Sequence, residues 1–358
     1  MTRRIAWIRH SFHFIPTHIV AFVAPAAHKR AADQAGSLAN KAFLMSSMPF
    51  SKYPRDLAGY GRNPPDPRWP GKARVAVQFV VNFEEGAENS ILHGDAASEA
   101  FLTEVLGTRP WPGQRHMNVE SMFEYGSRAG FWRLWRIFTA RKIAATVFGV
   151  ANALARNPQI VAAMREAAWD IACHGLKWID YKDFSRADEG AHMREAIRIH
   201  TEATGERPLG WYTGRTSEHT LKLVLEDGGF LYSSDSYADD LPYWVRGPKG
   251  PHLIIPYSLD ANDMRFINAQ GFPDGDSFFG YVRDTFDCLY EEGATAPKMM
   301  SVGLHCRLAG RPGRAAALAR FMDHIAKFDR VWTPTRLEIA RHWHREHLSL
   351  AAGAPEIA

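Results

Sequence analysis

The chain has 358 residues, 46% of them hydrophobic, enough to bury one large α/β core or two smaller ones. Its net charge of +4 is scattered, with no basic run interleaved with aromatics, which argues against a nucleic-acid partner. Three distant cysteines (Cys173, Cys288 and Cys306) make no CxxC pair, which argues against a disulfide framework or a zinc ribbon and fits a reducing cytoplasm. No apolar run approaches the length of a membrane span.

Met1 to Met48 is rich in Arg, His and Ala, and its first acidic residue is Asp33. Three readings compete for it. Arg3 and Arg4 ahead of the short apolar stretch Ile15 to His28 suggest a signal peptide, and the basic, acid-poor composition suggests an organelle transit peptide. The third reading, an upstream region read through to a start at Met45 or Met48, is preferred, and the segment is expected to be poorly ordered. The expected organisation is an extension over 1–48, one catalytic domain over 49–345 and a frayed Ala/Gly/Pro-rich tail over 346–358. Ser51 to Gly71 is dense in Pro and Gly, and Tyr53, Tyr60 and Trp69 should anchor it as a packed lead-in.

The organising stretch is Val75 to Gly86, VAVQFVVNFEEG: an apolar, β-branched strand that delivers Glu84 and Glu85 to its C-terminal end. Ser98 is expected to cap a short helix, SEAFLTEVL, and Glu120 to Arg141 a longer one split at Gly126 and Gly130, its aromatics facing the core. Then the pattern alternates. Strands are expected at Ala145 to Val150, Trp169 to His174, Leu209 to Thr213, Phe230 to Asp235, Leu253 to Ser258, Lys298 to His305 and Val331 to Pro334. Between them come helices from Asn157-Pro158 to Ala168, Arg186 to Thr204, one capped by Ser217 and ending at Gly228-Gly229, Asp276 to Gly293, Gly313 to Lys327, and one capped by Thr335. Strand–helix alternation implies parallel strands with right-handed crossovers, and seven or eight of them favour a (β/α) barrel. An open doubly wound sheet is the alternative, but no GxGxxG or GxxxxGK follows a strand.

On a barrel the C-terminal strand ends share one face. Glu84, Glu85, His174, Tyr212, Arg215, Asp235, Asn262, Asp263, His305 and Arg307 all fall at such ends. Singly each has a plain structural explanation: Arg215 pairing with Asp235, His305 as a satisfied core histidine, Asp260 and Asp263 shaping a turn. Together they mark an active site. Carboxylates and histidines without a Ser–His–Asp or Cys–His signature point to activated water as the nucleophile. Cys306 should point away from its neighbour His305 if the strand alternates, and is read as structural.

The segments NFEEG, HGLKWID, GWYTGRT, SDSYADD and GLHCRLAGRP, in that order, resemble the polysaccharide-deacetylase (NodB-homology) family over about Tyr53 to Trp343. YPRDLAGYGRNPPDPRWPGKAR, FEYGSRAG, GERPLGWYTGRT, DDLPYW and EEGATAPKM are similar to one offshoot of it, the cofactor-independent bacterial allantoinases. The resemblance implies a distorted NodB-like (β/α) barrel and amide hydrolysis, usually with a divalent metal. Where the family carries Asp-Asp, the first residue as base and the second as metal ligand, this chain has Glu84-Glu85; where it has two metal-binding histidines, this chain keeps His174 but has Trp178. An indole nitrogen only donates, so no metal cofactor is expected.

The implied reaction opens the hydantoin ring of allantoin to allantoate, in the cytoplasm, by a homo-oligomer, a tetramer by that likeness. Glu84 and Glu85 are both catalytic candidates: Glu84, at the position of the family's catalytic Asp, is the hypothesised base and Glu85 an alternative holder of the ureido group, and the sequence does not decide which carboxylate does which job. His174 or His305 acts as general acid or steadies the oxyanion, Arg215 supplies charge-assisted hydrogen bonds to the carbonyls or oxyanion, and Trp178 is a wall, with Tyr212, Asp235 and Asn262 as further substrate-binding candidates. The alternatives are a metal-dependent cyclic imide hydrolase or N-acetyl-sugar deacetylase, with Asp180 or His305 as substitute ligand, and an inactive barrel that only binds a sugar or ureide.

Overall fold

The structure, a computed structural model, describes residues 54–268 and 270–357. The chain divides into Met1–Gly59 and Tyr60–Ala358. Of the first unit only 54–59 is described: the Asp56 carboxylate accepts the N–H groups of Ala58 and Gly59 there. The expectations for 1–48 and for Tyr53 lie outside the described residues.

The second unit is built on one curled sheet. Its strands are β1 (Val75–Phe83), β2 (Thr146–Gly149), β3 (Asp170–Cys173), β4 (Gly210–Trp211), β5 (Tyr232–Ser233), β6 (Tyr243–Gly247), β7 (Gly250–Ile254), β8 (Lys298–His305) and β9 (Val331–Trp332). The order is β6-β7-β5-β4-β3-β2-β1-β8, with β9 also on β1. All pairings are parallel except the β6–β7 hairpin. The chain that follows β7 reaches the other edge of the sheet at β8: Gly303 donates its N–H to Ala261 O at 3.1 Å, and Asn262 bridges Gly303. This is the distorted (β/α) barrel expected from the sequence.

β1 is buried along its whole length, and its pleat sorts the residues by face. Val75, Val77, Phe79, Val81 and Phe83 face outward into the main core, against the helices Phe131–Ala140, Gly275–Glu292 and Pro312–Ile325. Ala76, Gln78, Val80 and Asn82 face the barrel interior, with Phe148, Tyr257 and Met299. The interior is partly polar and is filled by Arg336, the first residue of the helix Arg336–His347. Its guanidinium donates to Gln78 Oε1 (2.5 Å), Ser234 Oγ (3.1 Å), Ser301 Oγ (3.2 Å) and the carbonyls of Ile255 and Pro256. Thr335 caps that helix in a full capping box with Glu338, as its sequence suggests.

Several local expectations are corrected. SEAFLTEVL is not helical. Glu99 Oε1 accepts the N–H groups of Ala100 and Phe101 at 2.9 and 2.8 Å, and Ala97 pairs with Pro112, so the segment is a strap closed at its base. Gly126 and Gly130 do not break the Glu120 helix but bound a π-helical turn between Met117–Tyr125 and Phe131–Ala140. Ser217 lies ahead of the helix Thr220–Asp227 and is not its N-cap residue; its hydroxyl accepts the His219 N–H at 2.8 Å. Beyond the last helix the tail has partners in place of a frayed end: Leu348–Gly353 is a 3-10 turn, and Arg246 donates to the carbonyls of Ala351, Ala352 and Pro355. No helix among the described residues is long and apolar enough to cross a membrane.

Candidate active site

The register of the central strands builds the site. Asn82 on β1 pairs with His305 on β8, and Phe83 pairs with Gly149 on β2, which pairs with Cys173 on β3. The three neighbours therefore end level with β1, and the next residues, Glu84 and His174, emerge beside His305. Gly86 (φ 92°) lets the chain turn back at once after the two glutamates, with Ala87 donating to Glu84 O at 2.9 Å.

Glu84 is the hub. Both imidazoles reach one oxygen: His174 Nε2 and His305 Nε2 each lie 3.5 Å from Oε1. Arg307 Nη1 donates to the other, Oε2, at 2.7 Å. Burial by itself would raise the Glu84 carboxyl, but the charges of Arg307 and His305, with both imidazoles close by, hold it well below the usual carboxylate range. His305 is oriented from behind. Its Nδ1 donates to Asp263 Oδ1 at 2.6 Å, while Asp263 Oδ2 accepts the N–H groups of His305 and Ala309 at 2.7 and 2.8 Å. Burial pushes this imidazole down, yet Glu84 and Asp263 together carry it up to about 9, so it is an imidazolium at neutral pH. His174 Nδ1 donates to the Tyr212 carbonyl at 3.1 Å, which fixes the ring with Nε2 toward Glu84.

Glu85 has a different place. Its Oε2 accepts the Glu84 N–H at 3.1 Å, and its Oε1 is buried without a hydrogen-bond partner against the π-turn, where a side chain at Gly126 would collide with it. Burial raises its carboxyl most, Arg307 opposes and Glu84 adds, leaving it at about 7. The other expected residues lie around this centre. Arg215 is at the mouth, over Phe101 (4.9 Å) and Trp178 (5.4 Å), with its Nη1 buried and unpartnered. Tyr212 stacks on Phe148 and bonds the Tyr237 hydroxyl at 3.1 Å. Asp235 is spent on backbone, accepting the N–H groups of Thr213 and Gly214, and burial lifts it to about 6. Asn262 caps the 3-10 turn Asp263–Ile267 through the Met264 N–H and donates to the Tyr257 hydroxyl. Cys306 is buried, and burial pushes its thiol far up, as befits a structural residue.

Two residues of the cluster, Asp263 and Arg307, fall at the strand-end face in the sequence but carry no catalytic or binding role there. Asp263 reads as a turn former; only the fold shows its carboxylate behind His305. Arg307 lies two residues past a site histidine, and that proximity is its one sequence signal.

A divalent metal, which the family resemblance implies, does not fit these residues. Among the described residues no three His, Cys, Asp or Glu side chains stand so as to hold a cation. Glu84 Oε2 is taken by a guanidinium, and the second histidine position is an indole.

Comparison with known proteins finds relatives over most of the chain. The family model for polysaccharide deacetylase matches residues 114–228. A Schizosaccharomyces pombe protein named for the polysaccharide deacetylases is 43% identical over 313 residues, 82% of this chain and 98% of that one. A crystal structure from Pseudomonas aeruginosa PAO1, also named for a polysaccharide deacetylase, is 59% identical with TM-score 0.81, covering 82% of this chain and 99% of its own. The crystal structure of Puue allantoinase is 58% identical with TM-score 0.82, covering 83% and 99%. The barrel and its carboxylate–histidine centre define a hydrolase of the NodB type. The chain belongs to the polysaccharide deacetylase family.

Proposed function

We propose that this protein opens the hydantoin ring of allantoin by hydrolysis, giving allantoate, and does so without a metal. The observation that carries the reading is Glu84, ionised between two imidazoles and a guanidinium, with no grouping placed to hold a metal ion among the described residues. The likeness to an allantoinase over most of both chains supports the substrate.

A water beside Glu84 Oε1 gives its proton to that carboxylate as its oxygen attacks a ring carbonyl. The His305 imidazolium steadies the oxyanion and then gives its proton to the departing ring nitrogen as the C–N bond breaks. Geometry favours Glu84 over Glu85 as base, because Glu85 faces the π-turn and not the imidazoles. Arg215, with its free Nη1 at the mouth, binds a ring carbonyl. On this reading the reaction belongs to purine (ureide) degradation in the cytoplasm, and the working form is a homotetramer.

A second reading, deacetylation of an N-acetylated sugar, is favoured by the names of the yeast and Pseudomonas relatives. Purified protein offered allantoin and, separately, N-acetylated chito-oligomers decides between them. Release of allantoate with the oligomers untouched supports the proposal, and acetate release with allantoin intact overturns it.

A further inference from the structure

The surroundings of Trp178 show what an indole does at this position. The ring is 4% exposed and serves two cations. The Arg307 guanidinium carbon lies 4.9 Å from its centre and 4.3 Å from that of Phe123. On the mouth side the Arg215 guanidinium carbon lies 5.4 Å from Trp178. Arg307 itself is wholly buried: Nη1 is 2.7 Å from Glu84 and 3.8 Å from Glu85, Nε reaches the Leu102 carbonyl at 3.4 Å, and Nη2 has no hydrogen-bond partner among the described residues. A guanidinium taken out of water with one nitrogen unmatched needs compensation. The two aromatic faces and two carboxylates provide it, and only a planar, weakly hydrated cation suits such a slot.

We propose that Arg307, seated between Trp178 and Phe123, is the fixed cation of this site, taking over from a metal ion the orienting and charge-balancing of Glu84, with Trp178 as its seat. Arg307 on Oε2 already supplies the positive charge that balances Glu84. Arg307 and Trp178 are both positioning residues, acting through Glu84 without touching reacting atoms. The activity arm of the test rests on the allantoin reading; the binding arm does not.

The test uses Arg307→Ala, Arg307→Lys, Trp178→Leu and the double variant Arg307→Ala/Trp178→Ala, with millimolar methylguanidinium as probe. Thermal unfolding reads the seat without substrate. Methylguanidinium should raise the Tm of Arg307→Ala and leave the native protein and the double variant unmoved. With allantoin, Arg307→Ala should lose kcat by about 10²–10³-fold with little change in KM, as for removal of one preorganised charge. Methylguanidinium should restore part of that kcat, and Arg307→Lys should lie between the native protein and Arg307→Ala. Unaltered kcat in Arg307→Ala, a Tm indifferent to the probe, or an equal response in the double variant overturns the proposal. If Arg307→Ala does not fold, Arg307→Lys and Trp178→Leu decide: a fall in kcat at steady KM in both supports it, and a fall in neither overturns it. If the native protein leaves allantoin untouched, the substrate reading fails alone and the unfolding arm still judges the seat.

Discussion

Asp263→Asn isolates the charge on His305. The substitution keeps shape: the amide oxygen can accept the N–H groups of His305 and Ala309 that now reach Oδ2 at 2.7 and 2.8 Å. Its NH₂ then faces His305 Nδ1, which must accept instead of donate, and the ring is pushed to its neutral form. With Asp263 neutral, burial opposes Glu84 alone, and the imidazole falls from about 9 toward its free value of roughly 6.5. At about pH 8 the protonated fraction drops from ~90% to ~3%, so kcat/KM should fall about 30-fold there and recover below about pH 6. Stability follows with a definite sign. A raised His pKa stabilises the fold fully below about 6.5, and that contribution is lost as pH rises through about 9, so the variant should be less stable than the parent only on the acid side of that window. The assay is kcat/KM against pH for both proteins. An alkaline limb that stays near 9 in the variant, or a loss equal at every pH, refutes the role given to His305.

Glu84→Gln should lower kcat by about 10²–10⁴-fold, read by steady-state hydrolysis, and undiminished turnover removes Glu84 as base. In the parent, the acid limb of kcat/KM should lie below the usual carboxylate range, where Glu84 titrates; a limb near 7 would transfer the base role to Glu85. Gly126→Ala drives a methyl group into the Glu85 carboxyl and should cost about 1–3 kcal/mol in urea unfolding, with an unchanged midpoint as the contrary result. Arg336→Met strips the partners of Gln78, Ser234 and Ser301 in the barrel interior and should cost roughly 3–5 kcal/mol; a loss below about 1 kcal/mol would contradict the plug.

The parallel strands were legible because each is a short apolar run closed by a polar or glycine residue, and β1 and β8 show it plainly. The β6–β7 hairpin was missed although Trp244 and Val245 precede a Gly-Pro-Lys-Gly turn, since the alternation of strand and helix draws attention to crossovers. The strap failed as a helix because a glutamate side chain captured the backbone N–H groups, a competition invisible to periodicity. At the site, Glu84, His174 and His305 could be placed because strand ends are readable. Asp263 and Arg307 could not be ranked, since their roles depend on which neighbour they meet across 42 and 223 residues of chain. The same limit applies to Trp178: sequence says what it cannot ligate, and only packing says what it holds.

Allantoin hydrolysis by protein stripped with chelator, with residual metal quantified, tests the central claim most directly. The account predicts allantoate formation at the rate of the untreated protein, with metal far below one equivalent. Turnover abolished by the chelator and restored by zinc would contradict it.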